Sequence, residues 1–543
     1  MSEKSGRTSQ NGHFNVAVIG AGAGGIYAVH KFVKEGYSVL GIESAAEVGG
    51  VWYHNRYPGA RVDVESYYYC FFEEDVYRDW TWTERYPAQP EILAYLNFAA
   101  DRWDVRKHFK FNTWMTGAQW DASAGHYVVT TDDGARYTAD YLVMTSGQLS
   151  KPRDPSFEGL ETFRGRWVQT SRWPKDEVQL RGKRVAVVGT GSSGVQAVPA
   201  IAKDADHLFV FQRTPNYSAP ARNRAIDAKK YAEYAADISE ALDFTLNQPI
   251  GWGMRRGDRK FEEVPEDERA PLLEAFWANG GHSMGAIFID QGKNPEANQF
   301  VADFVRTKIR EVVSDQSVAE KLLPSADYPI GSRRLCVDTD YYDTYNRENV
   351  TLVDVSADPI KVTRTGMSVG DQHYEVDVIV FATGFEAFTG ALENANIKNE
   401  DGESPIDLWA RGPQTYLGLM TRGFPNLFIV TGPGSPTVLA NMIVGNQQHI
   451  DFITGILQYM KSNNLNLVEP SAEAQRRWTE HSAEVAASLL RLNVPNYMVH
   501  VNEDDGSKVM IPYAGGMHNY NTRLASVVHN GYEGFEFSAT PGV

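Results

Sequence analysis

The sequence predicts an α/β protein with two Rossmann-like dinucleotide-binding domains and a helical insertion in the second domain. Two glycine-rich motifs of the form Gly-x-Gly-x-x-Gly carry this prediction, one opening at Gly20 and the other at Gly189. Each motif follows a short apolar strand and precedes a helical pattern, which is the arrangement that places a diphosphate at a helix N-terminus. The distance from Gly20 to Gly147 is 127 positions and that from Gly189 to Gly384 is 195, so the second unit contains 68 additional residues.

The composition narrows the class of protein. With 543 residues, of which 42% are hydrophobic, the chain is long enough for several domains with substantial cores. A formal net charge of −17 argues against a nucleic-acid partner, because binding to a phosphate backbone relies on lysine and arginine. The two cysteines, Cys70 and Cys336, are too few for a disulfide framework or a cysteine-rich metal site, and we expect no metal.

The same composition predicts where the protein works. Residues 1–14 are polar and lack the apolar core of a signal peptide, and nowhere do 18 uncharged apolar residues run together. We therefore expect a cytoplasmic monomer with no membrane association.

The first unit has the features of a dinucleotide-binding domain. A strand over Phe14–Ile19 leads into Gly20-Ala-Gly-Ala-Gly-Gly25 and a helix that begins near Ile26. A second apolar run ends in Glu43, 23 positions after Gly20, where a carboxylate can accept hydrogen bonds from a ribose. The predicted nucleotide contacts of this unit are Gly20, Gly22, Gly25 and Glu43.

Alternating strands complete the first unit. Between Lys110 and Tyr141 the apolar residues alternate with polar ones, and Asp133-Gly134 indicates a hairpin turn. The strand Tyr141–Thr145 then leads into Ser146-Gly147 and closes the unit.

The second unit repeats this order. A strand over Lys183–Val188 leads into Gly189-Thr-Gly-Ser-Ser-Gly194 and a helix. The next strand ends before Arg213, 24 positions after Gly189, and a guanidinium in this place favours a 2′-phosphate and hence NADPH over NADH. A closing strand over Val376–Ala382 leads into Gly384. The predicted contacts are Gly189, Thr190, Gly191, Ser192, Ser193, Gly194, Gln196, Arg213 and Thr214.

Two different residues at the two ribose positions indicate two different cofactors. Glu43 in one unit and Arg213 in the other predict FAD held permanently and NADPH that delivers a hydride to it. A reduced flavin needs an electron acceptor. A dithiol relay is excluded because Cys70 and Cys336 are far apart in sequence and form no Cys-x-x-Cys motif, so dioxygen is the favoured acceptor.

The remaining segments predict an insertion and a return to the first domain. Residues from about 220 to 330 are mostly helical by pattern, as in Ala228–Phe244 and Glu296–Val313, and carry no nucleotide motif. A strand over Asn426–Thr431 and a helix over Asn441–Ser462 are expected to rejoin the first domain. The predicted domains are residues 1–150 and 386–543 for FAD, residues 151–218 and 332–385 for NADPH, and residues 219–331 for the insertion.

The stretch from Gly49 to Asp63 is too aromatic and too rich in glycine for an ordinary helix. Adjacent glycines let a backbone approach a ligand, and Trp52 and Tyr57 offer flat surfaces to a ring system. These aromatic residues could also belong to an ordinary core, and Asp63 could simply cap a helix. The glycines beside them favour a wall against a flavin.

Two motifs resemble the fingerprints of type I Baeyer–Villiger monooxygenases. The longer motif is Gly49-Gly50-x-Trp52-x-x-x-x-Tyr57-Pro58-Gly59-x-x-x-Asp63, and the shorter is Phe163-x-Gly165-x-x-x-Gln169-x-x-x-Trp173-Pro174. The resemblance runs from about residue 14 to the C-terminus. The chain departs from it at Gln169, where the family has a histidine on the link between the nucleotide domains, and glutamine can form hydrogen bonds but cannot titrate.

The resemblance implies an activity and roles for particular residues. It implies insertion of one oxygen atom of O2 next to a ketone carbonyl through a C4a-peroxyflavin, giving an ester or lactone. Arg334 matches the catalytic arginine and Asp63 the acid that holds it, while Arg333 matches a contact of the NADPH 2′-phosphate. On composition alone, Arg333 and Arg334 would be a solvated basic pair. The flavin contacts implied by the resemblance are Gly50, Trp52, Asp63, Tyr69 and Gln148, the last of which could also be a turn residue.

Other functions stay open at this point. A flavin monooxygenase that oxygenates nitrogen or sulfur would not need Arg334, and a redox-sensing module could use FAD and NADPH only to switch conformation. The sequence does not identify the ketone. Near the C-terminus, Tyr497 occupies the region where relatives carry a tryptophan in a mobile loop, and Leu439 and Met442 either line the substrate pocket or begin an apolar helix.

Overall fold

A computed structural model describes residues 12–539 of the chain. Most of the polar segment over residues 1–14 lies outside this range. The described residues contain two large sheets with helices against them, one mixed and one entirely parallel, and the predicted α/β class with two Rossmann-like units is confirmed. No helix within residues 12–539 has the length and apolar character needed to cross a membrane.

The N-terminal unit supplies most strands of the first sheet. Its elements are β1 (His13–Ile19), α1 (Ala23–Lys34), β2 (Val39–Ile42), α2 (Val51–His54), α3 (Glu74–Tyr77), α4 (Gln89–Arg102), β3 (Phe109–Lys110), β4 (Met115–Asp121), β5 (His126–Thr131) and β6 (Arg136–Met144). Strand β1 lies between β2 and β6 and is parallel to both, while β4, β5 and β6 are antiparallel neighbours. Ile19 is opposite both Ile42 and Met144, so the loops that follow these three strands lie at one edge of the sheet.

The second unit is divided into two parts by the helical insertion. Its first part and the insertion contain β7 (Arg166–Gln169), β8 (Arg184–Val188), α5 (Ser192–Ile201), β9 (His207–Gln212), β10 (Ser218–Pro220), α6 (Ala228–Ala236), α7 (Ile238–Leu246), α8 (Glu266–Asn279), α9 (Pro295–Val312) and α10 (Gln316–Leu322). Its second part contains β11 (Cys336–Asp338), α11 (Tyr341–Thr344), β12 (Val350–Asp354), β13 (Ile360–Thr363), β14 (Gly366–Val369), β15 (Gln372–Glu375) and β16 (Val378–Phe381).

The second sheet is entirely parallel, in the order β12-β9-β8-β16-β7. Val188 at the end of β8 is opposite both Phe211 and Phe381, which aligns the loop containing Gly189 with those that follow β9 and β16. Ligands of open α/β sheets bind at this carboxyl edge. The two ends of the insertion meet where β10 pairs in parallel with β11.

The insertion is helical, as predicted, but the expected helix over Ala228–Phe244 is two helices. Asp237 has an extended backbone and ends α6, and its side chain accepts a hydrogen bond from Glu240 N at 2.9 Å to cap α7. The local capping preference of aspartate outweighs the continuous helical pattern around it.

The C-terminal segment adds further elements to the first sheet. They are α12 (Gly390–Ala395), β17 (Ile397–Lys398), α13 (Pro405–Leu408), β18 (Leu427–Ile429), α14 (Met442–Ser462), β19 (Leu467–Pro470), α15 (Ala472–Ala486), β20 (Val499–Val501), β21 (Lys508–Met510), α16 (Met517–His529) and β22 (Phe535–Ser538). Strand β18 pairs with β6 and β17 with β4, while α14 packs on α1. The residues after 426 therefore return to the first sheet.

A buried ion pair connects the first unit to the insertion. Arg85 Nη2 lies 2.6 Å and Nε 3.0 Å from Glu65 Oε1, and Arg85 Nη1 donates to Asn279 O at the end of α8. The Arg85 and Glu65 side chains are only 5% and 9% exposed. Removal of one partner from such a pair leaves an uncompensated charge in a poorly hydrated place.

We predict that Glu65→Gln destabilises the protein by roughly 3–5 kcal/mol, because Arg85 then remains buried without its counter-charge. Asp79→Asn is the control, since the Arg102–Asp79 pair is exposed to solvent and its loss should leave the unfolding midpoint unchanged. Thermal unfolding followed by circular dichroism measures both variants. Equal midpoints for Glu65→Gln and the parent protein would contradict the assignment.

Candidate active site

The first glycine-rich loop has the close backbone contacts of a nucleotide cradle. Gly20 has φ +107°, and a Cβ at Gly25 would lie 1.8 Å from Gly20 O. The loop also touches the aromatic stretch, because a Cβ at Gly50 would lie 2.7 Å from Gly22 Cα. Side chains are therefore excluded where a diphosphate has to approach the N-terminus of α1.

Two polar side chains beside this loop suit the rest of FAD. Glu43 is buried at the end of β2, and its two carboxylate oxygens accept from Ala21 N at 2.6 Å and Ala45 N at 2.7 Å. A carboxylate has further lone pairs for a ribose hydroxyl. Gln148 is also buried, and its Oε1 has no hydrogen-bond partner among the described residues. An unpaired buried amide oxygen fits the edge of a bound polar ring.

The aromatic wall is built from side chains that fix each other. Trp52 Nε1 donates to Tyr69 Oη at 3.0 Å, and their rings are nearly perpendicular with centroids 6.0 Å apart. Gln89 donates to Trp52 O and ties the short helix α2 to α4. These contacts hold the indole of Trp52 in one orientation beside the glycine loop, as the proposed flavin contact requires.

The second glycine-rich loop has close backbone contacts at one glycine and open space at another. Gly189 has φ +110°, and a Cβ at Gly194 would lie 2.0 Å from Gly189 O, whereas one at Gly191 would meet nothing within 4 Å. Thr190 Oγ1 donates to Thr214 O at 3.2 Å and links this loop to the one after β9. The predicted diphosphate contacts Gly191, Ser192 and Ser193 lie at the start of α5, the first two exposed and the third half-buried.

Two cations near this loop have no carboxylate partner among the described residues. Arg213 is exposed and forms no ion pair, and Arg333 lies with its guanidinium carbon 5.3 Å from the centre of the Tyr328 ring. Two unpaired guanidinium groups beside an open phosphate loop fit the second phosphate of NADPH.

The Gly49–Asp63 stretch also contacts the second unit. Tyr57 Oη donates to Gln196 Oε1 at 2.8 Å, and Gln196 Nε2 donates to Arg61 O at 2.9 Å. A Cβ at Gly59 would lie 2.2 Å from Gln196 O. Burial raises the pKa of Tyr57 to about 12. Gln196, which we predict to bind cofactor, thus uses both ends of its amide to join α5 to the stretch that faces the flavin loop.

Asp63 and Arg334 form a bidentate pair between the two units. Arg334 Nε lies 2.7 Å from Asp63 Oδ2, and Nη2 lies 2.9 Å from Oδ1. Arg334 Nη1 donates to Val438 O at 2.5 Å, in the turn before α14. The side chains are 25% and 22% exposed. Burial opposes the charge of Asp63, but the neighbouring Arg334 and His282 outweigh it and hold the pKa of Asp63 well below its usual range.

The charge of Arg334 is equally secure. Burial alone would lower its pKa, but the adjacent Asp63 raises it, so the guanidinium stays protonated. Its guanidinium carbon also lies 5.9 Å from the centre of the Trp252 ring, in the insertion. Four parts of the chain therefore meet around one guanidinium: the aromatic stretch, the insertion, the segment before β11 and the turn before α14.

Two residues near this pair were not assigned from the sequence. His282 Nε2 lies 3.0 Å from Asp63 Oδ2, and Tyr497 lies close enough to Arg334 for the two side chains to interact electrostatically. His282 is a single histidine within a helical insertion, and only the preceding pair of glycines marks it as unusual. The sequence assigns no role to Tyr497 because its loop differs from that of relatives.

Gln169, where the chain departs from the family motif, lies at the end of β7. It is buried, and its Nε2 donates to Arg153 O at 3.0 Å on the segment that joins the two sheets. Four residues further on, Trp173 N donates to His54 O of the aromatic stretch. Gln169 therefore forms a hydrogen bond to the linking segment, and this bond does not depend on pH because an amide does not titrate.

Comparisons with known proteins agree with this geometry. Residues 13–224 match the family model for flavin-binding monooxygenase-like proteins. The chain is 40% identical to 2-oxo-Δ3-4,5,5-trimethylcyclopentenylacetyl-CoA monooxygenase of Pseudomonas putida, with 96% of this chain and 98% of that protein covered. It is 38% identical to a Baeyer–Villiger monooxygenase of Pseudooceanicola batsensis, with 96% and 95% covered.

A solved structure and a further relative are also similar to this chain over nearly its whole length. The complex of OTEMO with FAD and NADP has a TM-score of 0.93 and 38% identity to this chain, covering 98% of it and 100% of OTEMO. The phenazine N-monooxygenase PhzNO1 of Lysobacter antibioticus is 37% identical, with 97% of this chain and 98% of that protein covered. The resemblance read from the two motifs is confirmed, and the chain belongs to the Baeyer–Villiger monooxygenase family of flavin-binding monooxygenases.

Proposed function

We propose that this protein is an FAD-dependent, NADPH-consuming Baeyer–Villiger monooxygenase that inserts one oxygen atom of O2 next to a ketone carbonyl to give an ester or lactone. The observation that carries the proposal is the bidentate Asp63–Arg334 pair, whose Asp63 ends the stretch that contacts both the first glycine loop and α5. It supports the predicted catalytic roles of both residues. We propose a cytoplasmic location and a monomer; the two free, buried thiols of Cys70 and Cys336 fit the reducing compartment.

The residues present fit both cofactors. The glycine loop after β1, Glu43, Trp52 and Gln148 would hold FAD, and the loop after β8 with Arg213 and Arg333 would hold NADPH. When bound, the two cofactors supply hydride transfer and the activation of dioxygen. We propose that residues 12–150 and 386–539 form the FAD domain, that residues 151–218 and 332–385 form the NADPH domain, and that residues 219–331 are inserted on the substrate side.

Arg334 supplies a fixed positive charge and free hydrogen-bond donors. A guanidinium has five N–H groups. Two of those on Arg334 donate to Asp63 and one to Val438, so two remain for a ligand. Oxygen insertion at a carbonyl passes through an oxyanion, and preorganised donors in a partly dry site stabilise such a charge more than water does. Because the guanidinium does not titrate, this support is present at any working pH.

Asp63 controls where those donors point. Its two oxygens accept along one edge of the guanidinium, in the planar geometry that arginine and carboxylate share. Arg334 is therefore held in one orientation before a substrate binds, and little rearrangement is needed during the reaction. Since Asp63 stays ionised, the same geometry persists over the physiological pH range.

Oxygenation of nitrogen is the second candidate function. It is favoured by the likeness to a phenazine N-monooxygenase over nearly the whole of both chains. That reaction uses no oxyanion at a carbonyl and gives no reason for the two unused N–H groups of Arg334. A panel of ketones and phenazines, assayed for NADPH consumption with product analysis, separates the two functions, because only the first converts ketones to esters or lactones.

We predict that Arg334→Ala lowers kcat for ketone oxygenation about 10²–10³-fold, since it removes the donors that face the oxyanion. The content of FAD and the affinity for NADPH should stay unchanged. Arg347→Ala is the control, because the Arg347 side chain is exposed, hydrogen-bonds only to Asn349 among the described residues and lies outside the site. Ester formation and hydrogen peroxide are measured together, so that uncoupled NADPH oxidation is not mistaken for turnover. Full ester formation by Arg334→Ala would exclude the proposed mechanism.

We predict that Arg213→Ala raises KM for NADPH roughly 10- to 100-fold, the size expected for a lost hydrogen bond to a charged group. The value of KM for NADH should stay the same, because NADH lacks the 2′-phosphate. Steady-state rates with each nucleotide at saturating ketone measure both constants. An equal loss with NADH and NADPH would show that Arg213 does not contact the 2′-phosphate.

A further inference from the structure

His282 shares an oxygen atom with the catalytic pair. Its Nε2 lies 3.0 Å from Asp63 Oδ2, the same oxygen that accepts from Arg334 Nε at 2.7 Å. The contact is close but is not aligned as a hydrogen bond, and Nε2 has no hydrogen-bond partner among the described residues. The His282 side chain is 11% exposed. The nearest partner of its ring is Trp252, whose centroid is 5.8 Å away at 60°. The imidazole therefore approaches the carboxylate from the side of the insertion.

The backbone before His282 is shaped to deliver it there. Gly280 and Gly281 both have positive φ, at +71° and +69°. A Cβ at Gly280 would lie 2.4 Å from Pro220 O, and one at Gly281 would lie 2.2 Å from Tyr86 Oη. Only glycine fits both positions without strain. The sharp turn after α8 therefore fixes His282 against Asp63.

The charges around His282 decide its protonation state. Burial lowers the pKa of His282 and the nearby Arg334 lowers it further, while Asp63 raises it, and the balance lies below the usual value. Beyond Gly281 lie the phenol of Tyr86 and the guanidinium of Arg85, whose charge is paired with Glu65. A neutral imidazole has one N–H. That proton has to be on Nε2, because an unprotonated Nε2 would repel the carboxylate 3.0 Å away.

We propose that His282 is a positioning residue whose neutral Nε2–H, in close contact with the Asp63 carboxylate, restrains that carboxylate and, through it, the free N–H groups of Arg334. This inference rests on the proposed function of Arg334. It assigns to the insertion a direct part in shaping the active site. When acid protonates the ring, Asp63 faces two cations in place of one, and the hold of the carboxylate on Arg334 weakens.

The test compares His282→Ala with His282→Gln in the FAD-loaded enzyme. His282→Ala should lower kcat for ketone oxygenation roughly 10-fold or more, while KM for the ketone and the FAD content change little. His282→Gln provides an amide N–H and should recover most of the rate at pH 8. Below pH 6.5 the parent enzyme should lose activity in a step that His282→Gln lacks. The control is His373→Gln, which removes an exposed histidine from β15.

A second readout does not depend on turnover. In the enzyme labelled with 15N-histidine, the signal that disappears in His282→Gln reports His282, and at pH 7 it should show a neutral ring protonated at Nε2. An imidazolium, or a ring protonated at Nδ1, overturns the proposal, as does a His282→Ala enzyme with unchanged kcat. If no ketone is oxidised by the parent enzyme, the proposed function fails, whereas the histidine signal still decides the assignment of His282.

Discussion

The bidentate contact between Asp63 and Arg334 joins residues that are 271 positions apart, and much of the surrounding structure serves to bring them together. Asp63 ends the aromatic stretch, which lies against the first glycine loop through Gly50 and against α5 through Tyr57. Arg334 follows the insertion, whose ends are tied by the pairing of β10 with β11. A partly dry ion pair requires good geometry and additional hydrogen bonds, and Val438 O accepts one from Arg334. His282 Nε2 lies 3.0 Å from the carboxylate on its other side.

The arginines of the site differ in whether a carboxylate is paired with them. Arg334 is paired, held in one orientation and left with two unused N–H groups, which suits a charge that develops only during the reaction. Arg213 and Arg333 have no carboxylate partner among the described residues, which suits a permanent phosphate charge that arrives with the nucleotide. This contrast supports one role in chemistry and another in binding.

Most of the fold could be predicted from the sequence because its signals are local. The strands before Gly20 and Gly189 and the helices after them follow from apolar runs and glycine spacing, and both were placed to within three residues. The break at Asp237 was missed because a cap competes with the helical pattern. The position of His282 in the site could not be predicted from the sequence. It depends on a carboxylate 219 positions earlier in the chain and on a turn made by two glycines. The hydrogen bonds of Gln196 to the aromatic stretch could not be predicted either, because they join residues far apart in sequence.

Asp63 and Arg334 are expected to act as one unit in the reaction. A double-mutant cycle with Asp63→Asn, Arg334→Ala and the double variant tests it most directly, with kcat for ketone oxygenation as the measurement and FAD content as the check on folding. If Asp63 works by holding Arg334, the double variant should be no slower than Arg334→Ala alone. If the two losses multiply, the residues act independently, and the account of a positioned guanidinium is wrong.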